Sequence, residues 1–364
     1  MWIAPASALA ILIIFAFFLL RDWRFAFLVS LSSLPGYSAA ALIPVFVLPE
    51  HPPVVTAGSL YLCGYVLASF VASAIAIRIA VGDTKLEAVR GTIRRLLPVA
   101  LWSAILCMVT SVLGIHLGAI PAISGIAAFA ALSMASAFFC TALTPLLFSY
   151  SEAFIERTNR LRERRDRLLD RLAFLVQPRW GLSIGGIALI FAVLGAFGGG
   201  VRPLPNVWQL AAWAAAVFAI AWASCFDLRR GLAATLSILL MALLAYWASA
   251  GYASDETAAY LGYATLGLVS LPIALMALQT TLFAKEGDNV TVALLRASER
   301  TSVPIAFAST AAALCFLCLQ GAVAASALTV CGGLAAILVV PALTTAIHAL
   351  FPPRVSLEDA FKSR

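Results

Sequence analysis

Of the 24 Lys and Arg residues in this chain, 23 fall into six short segments, and every gap between consecutive segments is long enough for two membrane-spanning helices. The segments are Arg21/Arg24, Arg78 to Arg95, Arg157 to Arg179, Arg229/Arg230, Lys285 to Arg300 and Arg354 to Arg364, with only Arg202 outside them. Cytoplasmic loops retain Lys and Arg. All six segments are therefore read as inside, which places the N-terminus outside and the C-terminus in the cytoplasm. With 63% hydrophobic and 11% charged residues, the chain departs far from a soluble globule, whose charged fraction is about 25%. The net charge of +7 is accounted for by the positive-inside bias, so no nucleic acid partner is expected.

Reading apolar runs against the length of a helical span predicts an all-α polytopic membrane protein with about eleven spans. These lie near 3–20, 25–48, 56–77, 97–117, 121–149, 181–199, 206–226, 231–250, 258–283, 303–320 and 325–350. No basic residue precedes the first run, so a cleaved signal peptide is not expected. The seven cysteines sit in or at the ends of these runs, where Cys behaves as a small hydrophobe. Neither a disulfide framework nor a metal site at Cys315/Cys318 is expected. The three histidines, His51, His116 and His348, do not share a side of the membrane. They suggest no metal site and no general base beside a nucleophile, so no enzyme activity and no cofactor are expected.

The chain repeats itself. A shift of 206 residues lays Arg24 on Arg230, Glu50 on Glu256, Arg90 on Arg296, Arg94 on Arg300 and Pro98 on Pro304; with one residue of slippage Gly82-Asp83 matches Gly287-Asp288. Residues 1–150 and 201–350 thus read as two five-helix repeats. An odd number of crossings would invert the second repeat. The span within 181–200 restores the parity, so the repeats insert in parallel about an axis along the membrane normal. Residues 151–180 read as a basic amphipathic cytoplasmic linker and 351–364 as a cytoplasmic tail.

Candidate sites are few. Arg164 and Arg165 in the linker, and Arg90, Arg94, Arg296 and Arg300 in the repeated loops, suit anionic lipid headgroups or a protein partner. The stretches Asp83–Leu97 and Asp288–Val303 read as surface helices ahead of the spans that follow. Small residues in Ser124–Ala137 suit close helix approach. Ser30–Ser38, with Pro35, Gly36 and Tyr37, marks Phe25–Leu48 as the candidate broken helix, a feature that borders binding sites in transporters.

The loops AVGDTKLEAVRGTIRRLLP (80–98) and KEGDNVTVALLRASERTSVP (285–304), each leading to a Pro-initiated span and a Gly/Ala-rich hairpin ending in TPLL or VPALT, resemble the resistance-nodulation-division (RND) superfamily, particularly its MMPL-like lipid exporters. The resemblance covers nearly the whole chain but none of the family's large extracytoplasmic domains. The first of these is missing together with the span before it, and the second is reduced to Gly200–Asn206. Proton-driven members carry acidic residues in the span before the Gly-Asp loop. The matching windows here, Leu62–Ser69 and Leu268–Gln279, contain no Asp or Glu; Tyr65, Ser69 and Ser270 are their nearest polar residues. Hydroxyls do not titrate near neutral pH. The resemblance therefore implies an inner-membrane transport protein for a lipid-like or amphipathic substrate, without its own proton relay, using Tyr37, Tyr65, Ser69 and Ser270 as groove or degenerate relay positions. The alternative is a non-transporting scaffold or accessory subunit of a lipid or envelope assembly system. Expected partners are membrane lipids and, as a further candidate, a membrane or periplasmic protein.

Overall fold

The computed structural model describes residues 3–42, 54–113, 120–147, 207–249, 255–318 and 323–351, with six further positions between 180 and 190. The linker at 151–179, with Arg164 and Arg165, lies outside the described residues, as do His51 and His116 and most of the span expected at 181–199. All described elements are helical: α1 (Ile3–Leu20), α2 (Trp23–Leu31), α3 (Leu34–Leu42), α4 (Val54–Ala80), α5 (Lys85–Leu113), α6 (Ile120–Leu147), α7 (Val207–Cys225), α8 (Leu228–Ser249), α9 (Asp255–Lys285), α10 (Val290–Cys318), α11 (Val323–Leu334) and α12 (Val340–Leu350), with a π-helical turn at Ala335–Val339 joining the last two. Among the described residues seven helical stretches are long and apolar enough to cross a membrane.

The same local chemistry ends the helices of both halves. α1 and α7 each stop at a residue forced into the left-handed region, Arg21 (φ 56°) and Phe226 (φ 51°). The next residue, Asp22 or Asp227, accepts the N–H of Arg24 or Arg229 at 2.9 Å and caps the following helix. α4 and α9 end at Gly82 (φ 108°) and Gly287 (φ 98°). There the Asp83 N–H donates to the Arg78 carbonyl (3.2 Å) and the Asp288 N–H to the Phe283 carbonyl (3.4 Å). This is the wrap-around C-terminal cap that needs a left-handed glycine. It gives the repeated Gly-Asp pair a physical role as a helix stop.

α5 opens on a reciprocal cap: the Glu87 carboxylate accepts the Thr84 N–H and hydroxyl, and the Glu87 N–H donates back to Thr84 Oγ1. The helix then runs unbroken through Pro98 to Leu113, and α10 runs through Pro304 to Cys318. This corrects the expectation of separate surface helices before these spans. Ala88, Thr92, Leu96, Val99, Ser103 and Cys107 form one buried stripe on both sides of the proline, and burying it holds the helix continuous across the missing hydrogen bond. At 29 residues α5 is about 43 Å long, so its basic first turns extend past a hydrocarbon core of about 30 Å.

The helix expected to break does break. Ser32 turns its hydroxyl onto the Val29 carbonyl (2.7 Å), and the chain restarts as α3 with Pro35 in its first turn. The opening is filled by packing. A side chain at Gly36 would run into the Leu132 backbone of α6, and one at Gly64 would meet Ser133 Oγ at 2.8 Å. Small residues thus let α3, α4 and α6 close on one another.

α4 and α9 are the most enclosed helices. α1 packs on α10 and its counterpart α7 on α5; α5 packs on α9 as α10 packs on α4. Exchanging the halves exchanges these contacts, so a pseudo-two-fold axis passes between α4 and α9. Arg78 in the last turn of α4 and Gln279 near the end of α9 line one cavity, which shows that the two helices run the same way. The repeats are parallel.

Candidate functional site

The enclosed faces of α4 and α9 hold the hydroxyls of the two relay windows. Tyr65 is 1% exposed and donates its hydroxyl to the Leu12 carbonyl of α1 at 3.1 Å. Ser69, one turn further along α4, is fully buried, with no hydrogen bond of good geometry to its Oγ. Ser270 on α9 donates to the Gly267 carbonyl of its own helix at 2.9 Å, and Cys107 of α5 turns its thiol to that same carbonyl. Thr280, Thr281 and Thr301 likewise bond back to their own helices. Hydroxyls spent in this way pack helices together.

Tyr37 on α3 sits in an aromatic cluster, its ring centroid 5.1 Å from Phe129 and 6.3 Å from Tyr61. The Tyr61 hydroxyl donates to the Ser30 carbonyl on the far side of the helix break. Tyr61, Tyr65 and Ser69 follow each other at single-turn spacing on α4, so one polar strip runs from the break towards the axis.

At the basic end the two repeats enclose a cavity of about 30 Å³ lined by Arg78, Thr92, Arg95, Gln279 and Arg300 over an apolar floor that includes Phe70. Arg78 pairs with Asp83 (2.7 Å) and Arg95 with Glu286 (2.9 Å). The guanidinium carbons of Arg95 and Arg300 lie 4.8 Å and 5.2 Å from the centroid of one ring, Phe283, a cation–π arrangement. Arg78 Nε is buried without a hydrogen-bond partner, and so is Thr92 Oγ1. Such an orphan costs about 1–3 kcal/mol, and the cavity is larger than the roughly 10–15 Å³ that one water needs.

Of the arginines read from the sequence, Arg300 lines this cavity. Arg90 and Arg94 are exposed, and Arg296 donates from Nη1 to both carboxylate oxygens of Asp288 at 2.8 and 3.1 Å. Arg78 and Arg95 were not singled out by sequence reasoning. The signal was the one-residue slippage at Gly82/Gly287: carried into α5 and α10, it pairs Arg95 rather than Arg94 with Arg300.

A second cavity on the basic end, about 500 Å³, is lined by Phe226, Asp227, Arg229, Arg230, Ile347 and Phe351. Here Asp227 faces His348 Nε2 (3.6 Å) and Arg230 Nε (2.9 Å), while His348 Nδ1 donates to the Thr344 carbonyl (2.8 Å). The close approach of His348, aided by the Arg229 N–H and Arg230, holds the Asp227 carboxyl well below the usual carboxylate range against the cost of its partial burial.

No family model matches the chain, and no curated protein matches its sequence. Solved structures do match its fold, among them two of SecDF. SecDF in a super-membrane-facing form superposes with a TM-score of 0.58 at 12% identity over 99% of this chain and 63% of that one. SecDF from Thermus thermophilus, described as a translocon-associated membrane protein, gives 0.60 at 13% identity over 99% of this chain and 62% of that one. SecDF is an RND-superfamily transporter. The fold is RND-like. At these identities the likeness is one of fold alone, and it does not single out the MMPL branch. The chain spans less than two thirds of either SecDF chain's length.

Proposed function

We propose that this RND-like protein is a non-enzymatic transport protein of the cytoplasmic (inner) membrane, handling a lipid-like or amphipathic molecule without a proton relay of its own. Its basic end faces the cytoplasm. The observation that carries this reading is the content of the enclosed α4/α9 centre: the hydroxyls of Tyr65 and Ser270 are hydrogen-bonded to backbone, and neither relay window holds a carboxylate. An ionisable group inside a bilayer costs about 2.5–3.5 kcal/mol on insertion scales and marks an ion path where one exists. The described Asp and Glu residues lie at or near helix ends, except Glu299 in the third turn of α10, before Pro304. Movement of substrate is then passive or driven by a partner.

The test is transbilayer movement of a head-group-labelled phospholipid in liposomes with and without the purified protein. Protein-dependent movement supports the reading, and rates equal to those of empty liposomes overturn it. The exposed Arg90 and Arg94 favour the second reading, an accessory subunit that docks anionic lipid or a partner through its basic end. Equal rates together with capture of a partner that depends on these arginines would select it.

A further inference from the structure

We propose that the basic-end cavity between α4, α5, α9 and α10 is a binding site for a phosphate group. Three guanidiniums from both repeats, Arg78, Arg95 and Arg300, line a void of about 30 Å³. Guanidinium forks match the oxygens of phosphate in pairs, which a point cation does not do. Arg95 commits one nitrogen to Glu286 and carries five N–H donors in all. Arg78 commits Nη2 to Asp83, and its Nε remains buried without a partner.

The second observation is independent of charge. Thr92 lines the same cavity, is 2% exposed, and holds its Oγ1 with no hydrogen-bond partner. A buried hydroxyl beside a void is satisfied by whatever occupies that void. The Phe283 ring, over which Arg95 and Arg300 both lie, holds two like charges side by side. Glu286 offsets the charge on Arg95, and a further anion facing both guanidiniums and Arg78 makes the arrangement more favourable. A phosphomonoester carries three terminal acceptor oxygens and a negative charge near neutral pH, a valence that guanidinium N–H groups and a hydroxyl take up, while Asp83 and Glu286 already offset two of the three positive charges. Thr92 and Arg95 come from the first repeat and Gln279 and Arg300 from the second, so the occupant bridges the halves at their axis.

The site stands without the lipid-handling reading and rests on it only for the source of the phosphate. Two arms separate the sources: inorganic phosphate added to the full chain in neutral detergent, and phosphatidic acid in nanodiscs of otherwise zwitterionic lipid, each followed by thermal stabilisation and calorimetry. The expected result is saturable binding that weakens about tenfold or more in Arg300→Gln and in Arg95→Gln, and is unchanged in Arg296→Gln. Binding in both arms assigns a site that free phosphate can fill; binding only in the nanodiscs assigns a headgroup site, and either supports the proposal. Arg300 is exposed at the rim, so Arg300→Gln tests the site even if Arg95→Gln fails to fold. Absence of saturable binding in both arms, or binding indifferent to Arg300→Gln, overturns the proposal. Intact binding with no lipid movement would instead count against the transport reading alone.

Discussion

Arg95 in the third turn of α5 reaches Glu286 just past the end of α9, Nη2 to Oε2, at 2.9 Å, and so ties the first repeat to the second at the basic end. Its guanidinium also lies over Phe283 of the same helix. The pair is 26% and 44% exposed, so solvent screens it and its worth is about 0.2–1 kcal/mol. Glu286→Gln is expected to lower unfolding stability in detergent by no more than that, with the difference from wild type shrinking as salt is raised. A loss of several kcal/mol would mean that the pair is the main tie between the halves.

The glycines divide into two kinds with different expected costs. At Gly36 an added Cβ meets the backbone of α6, so Gly36→Ala pushes α3 away and costs about 1–3 kcal/mol. Gly82 and Gly287 have open space around a would-be Cβ but hold positive φ; Gly82→Ala and Gly287→Ala each cost about 1–2 kcal/mol through backbone strain alone. Thermal unfolding of the three variants is the check. Unequal losses at Gly82 and Gly287 would show that the two helix stops are not equivalent.

Asp227 makes stability depend on pH. Its folded pKa lies below the unfolded value of about 3.9, so its contribution is complete above that value and is lost as pH falls from there towards the folded pKa. Asp227→Asn is therefore expected to be less stable than wild type at pH 7, with the gap closing as acid is added below about pH 4. Unfolding curves at pH 7, 5 and 3 measure it. A gap that stays constant down to pH 3 would mean that the carboxylate's charge contributes nothing there.

Much of this was legible in local patterns. The Gly-Asp pairs, the break at Ser32 and the small residues that close it are short-range chemistry, readable within one repeat. The Thr84–Glu87 cap is a local helix-start pattern, fourteen residues ahead of Pro98. Continuity through that proline depends on the buried stripe from Ala88 to Cys107, and the stripe is buried by other helices. The axial cavity was not legible: Arg78 and Arg95 meet Arg300 only because α4 and α5 dock on α9 and α10. The pairing of Asp227 with His348 likewise depends on α8 meeting α12 across more than a hundred residues of sequence.

The proposed transport reading, without a carboxylate relay, is tested most directly by following labelled-lipid movement and internal pH together in liposomes holding the whole chain, with and without an imposed pH gradient. The expected result is the same rate of lipid movement in both conditions and no proton flux tied to it. Gradient-accelerated movement accompanied by proton flux would contradict it, and would require a proton path through the hydroxyls of Tyr65, Ser69 and Ser270.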